Sequence, residues 1–287
     1  MKPVLTIAHR VCPALSKTAI GYATKIDMVK ATTDSLAAAL IHYGQPVKLH
    51  VILDGCPPDY KALFDQSFRD AKNVQVDISE TPSIGNNTTF GKQVDLLLEE
   101  EEARLLYFSE DDYLYKLYAF SAMAEMLDKD GVDFVTPLDH PDRYRNITFE
   151  NEASPIAHTS FCHWRQVPST CLTFMTTPGV LKRTRWVFDA YTRGTMDSSM
   201  WLAATKQKLF APRALIGPGL RYLCGQNVPY PRLAQLCAWK WFGIKLLTTR
   251  KFTIWSPIPS LAIHLSSDCI PPCTSLDKDW QVKDSHS

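Results

Sequence analysis

A chain of 287 residues can bury a substantial core, as one α/β unit or as two small domains. With 45% hydrophobic and 21% charged residues it has the composition of a folded protein, which excludes general disorder. Its 31 basic and 30 acidic residues leave a formal net charge of +1, without the basic excess expected of a nucleic-acid binder. The opening Met1–Arg10 run is too short for a secretory signal, and no window approaches the roughly 18–20 apolar residues of a membrane span. The eight cysteines are too scattered for a small-domain disulfide framework. A cytoplasmic, reducing setting is the expectation, with peripheral membrane contact left open.

In chain order, Val4–Ala8 reads as a strand. Asp27–Tyr43 reads as a helix, with Met28, Ala31, Leu36, Ala39 and Leu40 supplying an apolar surface. Val47–Leu53 is a β-rich run that stops at Asp54-Gly55-Cys56-Pro57-Pro58, a strand-to-turn boundary. Tyr60–Ala71 follows as a helix and Val74–Ile78 as a strand. Thr89–Glu102 is a helix with Phe90, Val94, Leu97 and Leu98 on its apolar face, and Glu99–Glu102 is a solvated run opposing the helix dipole. Leu105–Phe108 is a buried strand that empties into Ser109-Glu110-Asp111-Asp112-Tyr113.

Tyr115–Leu127 then reads as a helix, Val132–Thr136 as a strand and Pro137–Tyr144 as a stiff polar turn. Thr170–Thr176 is β-like, the stretch from Pro178 to Tyr191 is helical, and Asp197 opens a helix running through Leu209. From Pro212 the chain is rich in Pro and Gly. Leu233–Leu247 is apolar and aromatic, broken by Lys240 and Lys245, and suits packing over the sheet, a partner or a membrane surface. Phe252–Leu265 contains several prolines and His264, and the tail frays after Trp280. The strand–helix alternation predicts a layered α/β fold. It is expected to form one domain over 1–287, with 212–287 as an acceptor, lid and metal-site segment.

Acids directly after an apolar strand need an exposed rim, a cation or counter-charges. Ligands of parallel α/β sheets sit beyond the carboxyl ends of strands, and hard carboxylate oxygens suit Mg²⁺ or Mn²⁺ beside diphosphate oxygens. Asp112 is therefore the candidate metal ligand, and Asp111 is placed to meet a ribose or the cation through water. The plain alternative for both is a solvated rim or cap. Asp54 suits a nucleobase N–H or ribose hydroxyl, Arg10 the nucleotide or diphosphate, and Gly85 with Asn86 the nucleotide, each against a turn or surface role. Asp139, His140, Asp142 and Arg143 suit sugar or acceptor contacts, or a locally paired turn around Pro141. Asp197 suits a general base or a helix cap. Cys269 and Cys273 have no second close pair to complete a zinc site, and the Asn86, Asn87 and Asn146 triplets matter only after secretion. No early Gly-x-Gly-x-x-Gly marks a dehydrogenase, and no nucleophile elbow frames Ser160, Cys162 and His163.

The order and spacing of Val4–Arg10, Val51-Ile52-Leu53-Asp54-Gly55, Tyr107–Tyr113 and Ser256–His264 resemble nucleotide-sugar glycosyltransferases of the GT-A fold, particularly the family-2-like group. The blocks Glu110-Asp111-Asp112-Tyr113 and Asp139–Tyr144 look like a bacterial or viral subset. The resemblance implies a mixed, mostly parallel sheet flanked by helices, with an irregular C-terminal extension. It implies metal-dependent, inverting transfer from a nucleoside-diphosphate sugar to a carbohydrate or other acceptor hydroxyl, with Mn²⁺ or Mg²⁺ and no nucleic-acid partner. By the same resemblance Asp111 and Asp112 form the acidic motif, His264 completes metal–diphosphate binding and Asp197 is the base. The acidic pair usual at the base position is absent, since the chain reads Thr195-Met196-Asp197-Ser198. The alternatives are a nucleotidyltransferase-like, sugar-activating enzyme and a non-catalytic glycan- or protein-binding GT-A domain.

Overall fold

Strand β1 (Leu5–Val11) is buried along its whole length, as a central strand covered on both faces must be. The computed structural model describes residues 2–14, 20–145, 154–207, 209–210, 212–271, 274–276 and 280. In it β1 lies between β2 (Val47–Asp54) and β4 (Leu105–Glu110), both parallel to it, and β3 (Val74–Thr81) extends the sheet beyond β2. Helices α1 (Lys25–Tyr43), α2 (Pro58–Ser67) and α3 (Asn86–Glu99) return the chain between these strands. Thr24 caps α1 by accepting the Asp27 N–H, and Gly44 ends it in the left-handed conformation.

Side-chain alternation divides the core into two layers. Leu5, Ile7, Leu105 and Tyr107 meet α1, α2 and α4 (Ala119–Leu127) on one face. Ala8, Leu106 and Phe108 meet Phe90, Val94 and Leu97 of α3 on the other, together with α6 (Pro178–Thr192) and α7 (Asp197–Thr205). On that second face Phe108 stacks on Phe174 at 4.4 Å, and Trp201 of α7 meets Phe174 edge-on at 4.9 Å. This aromatic layer fixes the start of α7 relative to the strand ends.

Beyond β4 the sheet changes character. Among the described residues it has nine strands in the order β3-β2-β1-β4-β9-β6-β10-β8-β7, with β6 (Phe134–Val135), β7 (Ile156–His158), β8 (His163–Val167), β9 (Phe174–Thr176) and β10 (Ile254–Ile258). Here β9 runs against both β4 and β6, and β8 runs against β10 and β7; only β6 and β10 are parallel. The expected mostly parallel sheet is thus confined to β3-β2-β1-β4, because antiparallel neighbours need no crossover helix between them.

A separate two-stranded sheet pairs β5 (Tyr113–Tyr115) with β11 (Ala262–His264), so the helix expected from Tyr115 starts only at Ala119. Helix α5 (Asp142–Arg145) follows β6, and α7 stops at Thr205, short of Leu209, where Lys206 turns left-handed with φ +54°. The stretch after Pro212 contains α8 (Pro212–Leu223), α9 (Tyr230–Phe242) and α10 (Lys245–Thr248). No described helix is long and apolar enough to cross a membrane. Asn146, Cys273 and the tail beyond Trp280 lie outside the described residues.

Candidate active site

A cleft of about 400 Å³ opens beyond the carboxyl ends of β1, β2 and β4. Its lining includes Arg10, Cys12, Lys25, Asp54, Gly85, Asn86, Glu110, Asp111 and Asp112. Each acid that ends or follows β4 meets a base. Arg10 Nη2 donates to Glu110 Oε1 at 2.5 Å, Lys25 Nζ lies 2.8 Å from Asp111 Oδ1, and His264 Nε2 donates to Asp112 Oδ2 at 2.8 Å.

These pairs are unequal. Burial dominates at Asp111 and pushes its carboxyl up to about 6 despite Lys25. At Asp112 burial acts the same way, but His264, Lys25 and Arg10 outweigh it and hold the carboxyl below its ordinary range. His264 is correspondingly raised, its burial overcome by Asp112, and Arg10 is raised by Glu110 against its own burial.

His264 reaches Asp112 across 152 residues of sequence because β11 pairs with β5. In that register His264 stands opposite Tyr113, their rings stack at 4.8 Å, and Leu265 N–H donates to the Asp112 carbonyl at 2.9 Å. Asp112 Oδ1 is buried with no hydrogen-bond partner among the described residues. Among the described residues no three His, Cys, Asp or Glu side chains converge as a ready-made metal ligand set.

The opposite wall is shaped by Asp54. Its Oδ1 accepts from Thr81 Oγ1 at 2.7 Å and Ile84 N–H at 2.6 Å, and its Oδ2 accepts from Gly85 N–H at 2.9 Å. These bonds hold the turn that starts α3, where Gly85 adopts a φ of +85° that favours glycine. Arg10 Nη1 donates to the Asn86 carbonyl at 3.0 Å and to its side-chain oxygen, while Asn86 Nδ2 donates to Tyr191 OH at 3.0 Å.

A second pocket of about 100 Å³ is lined by His140, Asp142, Arg143, Ser169, Thr170, Cys171, Asp197, Ser198 and Tyr230. Asp197 is the first residue of α7, and its Oδ1 accepts the Ser198 N–H at 2.5 Å. Ser198 Oγ and Tyr230 OH are 2.9 Å apart, and Arg143 Nη2 donates to Ser169. Burial, followed by the neighbouring Arg165, lowers Arg143 to about 10. Asp139 is buried outside this lining, with Oδ1 accepting from Arg165 Nη2 at 2.5 Å and Oδ2 from Tyr144 OH at 2.6 Å.

Thiols connect the two pockets. The Cys269 thiol is 3.7 Å from His140 Nε2, and both Cys171 and Cys269 interact with His140 and His264. Burial alone would raise Cys269, but the two imidazoles bring it down to about 6. On the far side, Tyr191 touches Asn86 and lies within electrostatic reach of Asp197.

Arg10, Asp54, Gly85, Asn86, Asp111 and Asp112 therefore line one cleft, His140, Arg143 and Asp197 line another, and His264 stands against Asp112 between them. Sequence reasoning missed Lys25, Glu110 as the partner of Arg10, Tyr191 and the Cys171–Cys269 cluster. Glu110 had a signal in its place beside the Asp pair; Lys25 and the thiols belong to no local motif.

A scan against protein families gives no match, and a search of curated proteins gives none. Among solved structures, S. aureus TarS 1–349 is 13% identical over 69% of this chain, with a TM-score of 0.41. This chain spans 55% of that one. The mannosyltransferase PcManGT from Pyrobaculum calidifontis, in complex with GDP-Man and Mn²⁺, is 10% identical over 83% of this chain and 70% of its own, with a TM-score of 0.45. The galactosyltransferase LgtC, in complex with donor and acceptor sugar analogues, is 10% identical over 69% of each chain, with a TM-score of 0.39.

Proposed function

We propose that the chain is a GT-A-like glycosyltransferase that carries a sugar from a nucleoside-diphosphate donor in the Arg10–Asp112 cleft to a hydroxyl held in the Asp197 pocket, with inversion. The observation that carries this reading is the juxtaposition of the two pockets. A cleft of opposed charges at the strand ends adjoins, through Asp112, His264 and Cys171, a smaller pocket walled by a carboxylate, a histidine and an arginine.

Arg10, Lys25 and the positive start of α3 meet the diphosphate, and Asp54 holds the turn that presents that helix end. Asp111 faces the ribose. A divalent cation suits the buried, unbonded Asp112 Oδ1 with His264 beside it, and Mg²⁺ or Mn²⁺ bound there would neutralise the departing diphosphate. Asp197 takes the proton of the acceptor hydroxyl as that oxygen attacks the anomeric carbon. The bond from that carbon to the diphosphate breaks, its electron pair leaves with the nucleoside diphosphate, and no covalent enzyme intermediate forms. His140 and Arg143 orient the acceptor.

The pairing of each acid with its own base favours a second reading, in which Arg10, Lys25 and His264 neutralise the leaving group without a cation. Release of nucleoside diphosphate, measured across a panel of nucleotide sugars after chelation and Mn²⁺ readdition, separates the two. Loss of Mn²⁺ stimulation in Asp112→Ala supports the metal role, and an unaltered titration in that variant refutes it. Pyrophosphate as the product would indicate a nucleotidyltransferase, and donor binding without turnover on a broad acceptor panel would indicate a non-catalytic domain.

A further inference from the structure

From Ser198 to Ser267 the sequence contains no Asp or Glu but nine Lys and Arg residues, leaving the rest of the chain net acidic. One helix of this segment is one-sided. Helix α9 buries Ala234, Gln235, Ala238 and Phe242 against the body. At 3.6 residues per turn its outer face carries Leu233, Cys237, Lys240 and Trp241, and the chain continues into Ile244, Lys245 and Leu247. Ile244 is 76% exposed and Leu247 65%, and on α8 Ile216 and Leu220 are 62% and 60% exposed, one helical turn apart. Arg221, Lys240 and Lys245 of the same three helices are exposed as well. Single exposed aliphatic residues need no explanation, whereas a set of them interleaved with cations and free of acids does.

We propose that the face formed by α8, α9 and α10 docks on an anionic lipid bilayer. Trp241, Ile244, Leu247, Ile216 and Leu220 would enter the headgroup–acyl boundary, while Arg221, Lys240 and Lys245 meet lipid phosphates with their alkyl stems along the apolar layer. Charge selects this occupant over a second copy of the chain, because a two-fold dimer would set the same cationic surface against itself. The proposal is independent of the sugar-transfer reading, since it involves neither pocket's chemistry.

The test is co-sedimentation of the full chain with vesicles of phosphatidylcholine alone or mixed with phosphatidylglycerol. The anionic vesicles should retain about tenfold more protein at low salt, and retention should fall as ionic strength rises. The pair Lys240→Glu and Lys245→Glu should lose about tenfold in binding. The triple Leu220→Ser, Ile244→Ser and Leu247→Ser should lose it at every salt concentration, with thermal unfolding unchanged because these side chains are 60%, 76% and 65% exposed. Equal binding to neutral vesicles, no binding to either, or binding insensitive to both sets of substitutions overturns the proposal. A dimer in light scattering that the triple variant converts to monomer, without vesicle binding in the parent, assigns the face to self-association and also overturns it.

Discussion

Asp111 and Asp112 are adjacent in the chain but titrate in opposite directions. Burial raises Asp111 to about 6, while His264 holds Asp112 down against the same burial. Because the folded pKa of Asp111 exceeds its unfolded value, its contribution to stability is full at low pH and is lost as pH rises through about 6. Asp111→Asn removes that dependence. Its melting temperature relative to the parent should rise by a few degrees from about pH 5 to about pH 8, read by scanning calorimetry. Replacing His264 with Ala removes the proposed second ligand beside Asp112, so Mn²⁺-supported diphosphate affinity should fall about tenfold or more in a calorimetric titration, and a rise would show that His264 only neutralises Asp112. Asp197→Asn should keep donor KM while kcat for transfer falls roughly 10²–10⁴-fold. Full transfer would return Asp197 to its role beside the Ser198 amide. The acids after β4 were legible because three carboxylates behind an apolar strand demand an explanation. Of their partners, Arg10 and His264 were singled out as candidates, but Lys25, the first residue of a helix, was not, and Cys171 and Cys269 meet the site only through tertiary packing.

Local periodicity carried β1 to β4 and α1 to α3 because each is long and buries a regular set of side chains. It failed at β5, where Tyr113–Tyr115 is too short to show alternation and finds its partner at Ala262–His264. It failed again at β7 and β8, since Ile156–His158 is a three-residue edge strand with little burial. In α8 an internal Pro218 masks the helical pattern. The aromatic layer beneath α6 and α7 is the element-scale support of the site. Phe174 touches Phe108, Phe134, Phe188 and Trp201, so Phe174→Ala should destabilise the chain by about 3–5 kcal/mol in urea unfolding. A loss under about 1 kcal/mol would show that the layer collapses around the gap.

For the whole molecule, a formal net charge of +1 conceals a strong division between an acid-free segment and an acidic remainder. The parent should therefore bind a cation exchanger somewhat above its sequence pI of about 7.6, where an evenly charged chain would pass through, and Lys240→Glu with Lys245→Glu should elute earlier. The α/β class was readable from strand–helix alternation. The switch to antiparallel pairing after β4 was not, because β9, β6 and β10 are neighbours in space only.

Tyr230 belongs to both regions, since its hydroxyl lies beside Ser198 in the smaller pocket while the residue is 56% exposed at the head of α9. Docking of α9 on lipid would therefore bring a residue of the smaller pocket's wall to the bilayer surface. An acceptor tethered to the leaflet would then reach that wall by sliding sideways in two dimensions.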